Sequence, residues 1–136
     1  VAVTSGIAKC VIDVRRGDGP PAAFRFTQPA LATTQKLVDE QPEIAAGAVR
    51  AIVKTLEALK HDVSLATKVA QKLFPAKEAG LIATLIERDL PYYDAALYEE
   101  NVAGMNSFAQ AAGLLEGDAV PYDDIVATQF RDLWKG

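Results

Sequence analysis

One cysteine and one histidine, Cys10 and His61, set the first limit on the chemistry this sequence can do. A cysteine/histidine zinc site needs several such ligands and a disulfide needs a second thiol, so neither can be assembled within the chain. A hydrolytic triad needs a base beside its nucleophile. His61 instead follows Lys60 at an expected helix end, where a cation suits the helix dipole, and the sequence has no Gly-x-Ser-x-Gly elbow and no phosphate-binding glycine loop. Cys10 lies in the apolar run CVIDV and reads as a small buried hydrophobe, not a reactive thiol. Asp13, Arg15, Arg16 and Asp18 form a mixed-charge loop that reads as solvated surface. Tyr92 and Tyr93 read as plugs between helices, and Asp123 and Asp124 as acids at a helix start, not metal ligands. Arg25 carries a forked cationic donor suited to a carboxylate, sulfonate or phosphate, although an arginine alternating with phenylalanines on a strand is more often a solvated outer-face residue. No catalytic residue, metal or cofactor is expected.

The elements that position these residues follow from composition and pattern. With 136 residues, half of them hydrophobic and 24% charged, the chain can build one folded unit with a core. Fourteen basic against eighteen acidic residues, with no basic cluster beyond Arg15 and Arg16, argue against a nucleic-acid partner. No apolar run is long enough to span a bilayer.

The β-branched run Val11, Ile12 and Val14, closed by RGDGPP, predicts a strand over 7–16, and AAFRFT predicts a second one with Phe24 and Phe26 on one side. From Pro42 the pattern turns helical. A long helix is expected to Lys60 with Ala45, Val49, Ile52, Val53, Leu56 and Leu59 inward, then one capped by Ser64, carrying Leu65, Val69 and Leu73 on one face and stopped by Pro75, then one from Ala76 to about Asp89 with Leu81, Ile82, Leu85 and Ile86 inward. Another begins at Glu99 and Glu100, burying Val102, Met105, Phe108, Ala109 and Ala112. Gly113 falls where a left-handed helix stop is wanted, with Leu114 able to fold back on Phe108 or Ala109, whereas Gly117 sits in a looser turn. Val120-Pro121 leads to a last helix from Asp123, carrying Ile125, Val126 and Phe130. The fold class expected is α/β and helix-rich, with two short strands followed by about five helices.

In order and spacing, the stretches VIDVRRGDGPP, FTQPALATTQKLVDEQPEIAAGAVRAIVKTLEAL and NVAGMNSFAQAAGLLEGDAVPYDDIVATQF resemble the C-terminal part of ABC-transporter solute-binding proteins of the nitrate, sulfonate and taurine type. The resemblance covers nearly the whole chain. It implies the C-terminal portion of a two-lobed periplasmic-binding-protein-like fold, with 1–34 as the end of the second lobe and the return crossing and 35–136 as a helical part. It further implies a receptor, periplasmic or anchored to the outer face of the cytoplasmic membrane, that delivers a small anionic or zwitterionic ligand to permease subunits. The chain, which opens in a strand-like run without methionine, is then expected to be a fragment completed by an N-terminal lobe. Arg25, Thr27 and Gln28 match the family's return crossing near the cleft and are the ligand-binding residues the resemblance implies. Two alternatives stay open: an enzyme of the same fold similar to thiamine-pyrimidine synthases, whose cysteine-rich segment has no counterpart here, and a helical protein-interaction module.

Overall fold

The structure, a computed structural model, describes residues 2–3, 5–26 and 30–135. Helix is the only regular secondary structure among them. Helix α1 spans Gln35–Glu40, capped by Thr34, whose Oγ1 accepts from the Leu37 N–H at 3.2 Å. After Gln41 alone, α2 runs Pro42–His61, with proline at its first position, Glu43 in its first turn, and Lys60 and His61 in its last. Helices α3 (Ser64–Leu73) and α4 (Ala76–Asp89) form a hairpin around Pro75 and pack together, with Ala66, Ala70 and Ala79 buried. Helix α5 is Glu99–Ala111, α6 is the single turn Tyr122–Ile125, and a 3-10 segment Thr128–Trp134 returns the chain to α2. There Phe130 packs with Val38, Ala45 and Ala46, surrounded by Leu37, Val49, Ala127 and Leu133.

The two expected strands, and with them the α/β class, are corrected by the structure. Over 7–16 the chain is irregular and ends in a 3-10 turn, Val14–Arg16. A strand is stabilised by a neighbour on its ladder, and no described segment supplies one. The β-branched run is left uncovered, with Ile7 83% and Val11 85% exposed. Cys10 is likewise exposed and not buried, its Sγ 3.5 Å from the Ile12 carbonyl oxygen. The second expected strand begins instead as a 3-10 turn, Pro21–Arg25, because Pro21 has its φ fixed for a helical start. The alternation of Phe24 and Phe26 is lost, and the Phe26 ring lies 5.2 Å from that of Phe108 on α5.

Several helix faces also differ from the expected ones. The buried side of α2 is Ala45, Ala46 and Val53, while Ile52 points outward, because α1 and the C-terminal segment cover only a narrow stripe. Leu85 on α4 is exposed for the same reason, since α3 covers α4 from the Ala79 side. Ser64 is the first helical residue and not the cap. Its N–H donates to Asp62 Oδ1 at 3.0 Å, and hydrogen bonds from the Ser64 hydroxyl and backbone, with Lys68 nearby, hold the Asp62 carboxyl below its usual pKa. On α5 the buried positions are Val102 and, unexpectedly, Asn106, while Phe108 and Ala112 are exposed. The last helix ends at Ile125, because Val126 turns extended, so Phe130 reaches the core from the 3-10 segment.

The stop of α5 has its expected backbone form. Gly113 has φ +68°, its N–H donates to the Gln110 carbonyl at 3.1 Å, and the Leu114 N–H donates to the Ala109 carbonyl at 2.8 Å, the paired bonds of a Schellman ending. The Leu114 side chain does not fold back; it stays exposed. Gly117, expected to be the more permissive glycine, has φ +94°, farther from the left-handed well than Gly113. A Cβ at either position would touch nothing within 4 Å, so the cost of substitution is conformational alone. Gly113→Val should lower stability by about 2 kcal/mol and Gly117→Ala by about 1 kcal/mol. Melting curves decide the matter, and a Gly117→Ala protein as stable as the parent would show that this turn relaxes freely.

Candidate functional site

The head of α5 and the C-terminal segment flank an open charged groove of about 650 Å³, lined by Tyr98, Tyr122 and Trp134 and carrying the acids Asp94, Glu99 and Glu100 and the cations Arg131 and Lys135. Its floor is set by local chain chemistry. Asp94 Oδ1 accepts from the Ala96 N–H at 2.9 Å, which turns the chain, and its Oδ2 accepts from the Tyr98 hydroxyl at 3.2 Å. Tyr98 then caps α5 with its backbone. Its N–H donates to Asn101 Oδ1 at 3.0 Å, and its carbonyl accepts from the Asn101 N–H at 3.0 Å.

The opposite wall is brought in by two clamps. Asn106, buried on α5, donates from Nδ2 to the Val120 carbonyl at 2.8 Å and accepts on Oδ1 from the Val120 N–H at 3.1 Å. Its amide thus pairs with that residue as a neighbouring strand would. Tyr122, two residues on, donates its hydroxyl to the Leu97 carbonyl at 2.6 Å. With α6 so fixed, the Arg131 guanidinium carbon lies 5.8 Å from the Tyr122 ring centroid and 5.9 Å from that of Trp134. Both distances are within cation–π range. Arg131 Nη2 also donates to the Tyr122 oxygen at 3.4 Å.

The field inside the groove carries both signs. The Asp94 carboxylate, by accepting the hydrogen bond and by its charge, pushes the Tyr98 phenol above its usual pKa, and the charge of Glu100 adds to this. The hydrogen bond to Tyr122, helped by the charges of Asp123 and Glu99, raises the pKa of the already cationic Arg131. The arrangement offers a polar molecule acidic and cationic partners within one groove. No known protein family, curated protein or solved structure matches the chain.

The residues implied by resemblance are placed only in part. Arg25 closes the 3-10 turn Pro21–Arg25, while Thr27 and Gln28 lie outside the described residues. Of the loop acids and arginines, Asp13 Oδ2 lies 3.7 Å from Arg16 Nε, and Asp18 Oδ2 accepts from the Asp13 N–H at 3.4 Å. Of the tyrosine pair, Tyr92 is exposed and Tyr93 half-buried. The groove residues Tyr98, Arg131 and Trp134 were missed by sequence reasoning: Arg131 and Trp134 share one 3-10 turn and Tyr98 bonds Asp94 four residues back, but the two groups come together only through tertiary contacts. Asn106 was the one available signal: an amide in the apolar stripe of a helix must find partners. A second, apolar groove of about 420 Å³ lies beside Phe26 and Phe108.

Proposed function

We propose that this chain is part of the solute-binding component of an ABC importer, which captures a small anionic or zwitterionic ligand of the nitrate, sulfonate and taurine class and delivers it to a membrane permease. It works outside the cytoplasmic membrane, in the periplasm or anchored to the outer face, together with a further N-terminal part of the same protein. The observation that carries the reading is the order of joints in the C-terminal third. A Schellman stop at Gly113, a clamp of Val120 onto Asn106 and a one-turn helix at Tyr122 tied to Leu97 follow one another in the stretch on which the resemblance rests. The uncovered apolar run at Ile7, Val11 and Ile12 supports it too, since exposed hydrophobes in sequence mark a surface that another body covers. The same run favours a second reading, a helical module that docks on another protein.

The deciding measurement is the melting temperature of the full-length gene product with nitrate, taurine and a short alkanesulfonate. Ligand at about one hundred times Kd adds about 2.7 kcal/mol, which is roughly 5–10 °C for a protein of ordinary domain size. No rise with any of the three, together with a stoichiometric protein partner, would replace the receptor by the docking module.

A further inference from the structure

We propose that the groove at the head of α5 is a binding site for a small zwitterion with an apolar or aromatic body, its carboxylate taken by Arg131 and its ammonium by Asp94 and Glu99. The inference does not rest on the receptor reading, because every group it uses lies within the described residues. Three observations meet here. The cavity of about 650 Å³ is of the size that small ligands occupy. The Arg131 guanidinium is steadied against the rings of Tyr122 and Trp134 while its side chain remains exposed. A planar cation so held presents its remaining N–H groups in a fixed fork, the geometry that receives a carboxylate through two parallel bonds. Asp94 is held in its turn by Ala96 and Tyr98, and Glu99 and Glu100 add negative charge to the same groove, as Lys135 adds a second positive one. An anion alone would leave the acids opposed to it, and an amine alone would face Arg131. A molecule carrying both charges finds a partner for each, and its apolar body finds the aromatic side chains that line the same groove.

The chain reports its own occupancy, because Trp134 is its one tryptophan. Titration of the 136-residue chain with L-phenylalanine should change Trp134 emission saturably. Phenethylamine, which lacks the carboxylate, and 3-phenylpropanoate, which lacks the ammonium, should each bind at least about tenfold more weakly, the loss of a charge-assisted hydrogen bond. Arg131→Gln should weaken phenylalanine by at least about tenfold while leaving phenethylamine unchanged or tighter, and Asp94→Asn should do the converse with 3-phenylpropanoate. Both positions are exposed, and far-ultraviolet circular dichroism checks that the variants stay folded. No saturable change up to millimolar phenylalanine would overturn the proposal. So would phenethylamine binding as tightly as the amino acid, or Arg131→Gln leaving phenylalanine affinity intact in a folded protein. A null result with nitrate and taurine on the full-length receptor leaves these arms unaffected, so the two readings fail separately.

Discussion

Phe130→Ala should cost the chain about 3 kcal/mol, at the lower end of what losing a buried phenylalanine costs, and roughly 10 °C in melting temperature. Phe130 is the only aromatic ring in the buried cluster; its companions there are a valine and two alanines. Removing it opens a hole that small neighbours cannot close, since alanine has no side-chain torsion with which to move inward. It also unties the C-terminal segment from α2, the contact that brings Trp134 and Arg131 back over the rest of the chain. Ile125→Ala, a few residues away but exposed, should change stability by less than about 0.5 kcal/mol. Thermal or urea unfolding of the two variants tests the claim, and equal losses would mean that the Phe130 cluster is not the core.

Asn106→Ala should cost about 3 kcal/mol, because it deletes two hydrogen bonds and strands the N–H and carbonyl of Val120. Both bonds are to the same backbone residue, so no local shift replaces one without breaking the other. Asn106→Asp separates the two halves of the clamp. The carboxylate can still accept from the Val120 N–H but faces the Val120 carbonyl with a second oxygen where a donor stood. Protonation restores the donor, so the folded state raises the pKa of this carboxyl. The resulting stability is present below the unfolded value and is lost as pH rises through the folded one. The Asp variant should therefore close the gap to the parent as pH is lowered through the carboxylate range. A gap independent of pH would show that the Asn106 side chain does not donate to Val120.

The parts of the fold that sequence reveals are those whose signals are local. The limits of α2 and α4 follow from Pro42, the Lys60-His61 end, Pro75 and Pro91, and the stop at Gly113 from the residue itself, because each acts through its own backbone geometry. What sequence does not reveal depends on a partner. The run at Val11 has the composition of a strand, but strand is a relation between two segments, and the described chain holds one of them. Ile52 and Leu85 fit their helical stripes, yet how wide a stripe is buried depends on the width of the neighbour that covers it. The candidate groove is the extreme case. Tyr122 meets Leu97 across twenty-five positions and Arg131 across nine, so that although Arg131 and Trp134 stand at local i, i+3 spacing, no spacing rule points to the groove they form with Tyr122.

The buried residues of the α3–α4 hairpin are Ala66, Ala70 and Ala79, the last two 3% and 1% exposed. A methyl has no rotamers to surrender, so the two helices come together at almost no side-chain entropy, but each methyl withdraws only about 0.8 kcal/mol worth of surface from water. Such a seam supplies little hydrophobic attraction of its own, and the two-residue link Phe74-Pro75 limits how far one helix can slide along the other. The hairpin is therefore kept in register more by the shortness of its tether than by the grip of its faces.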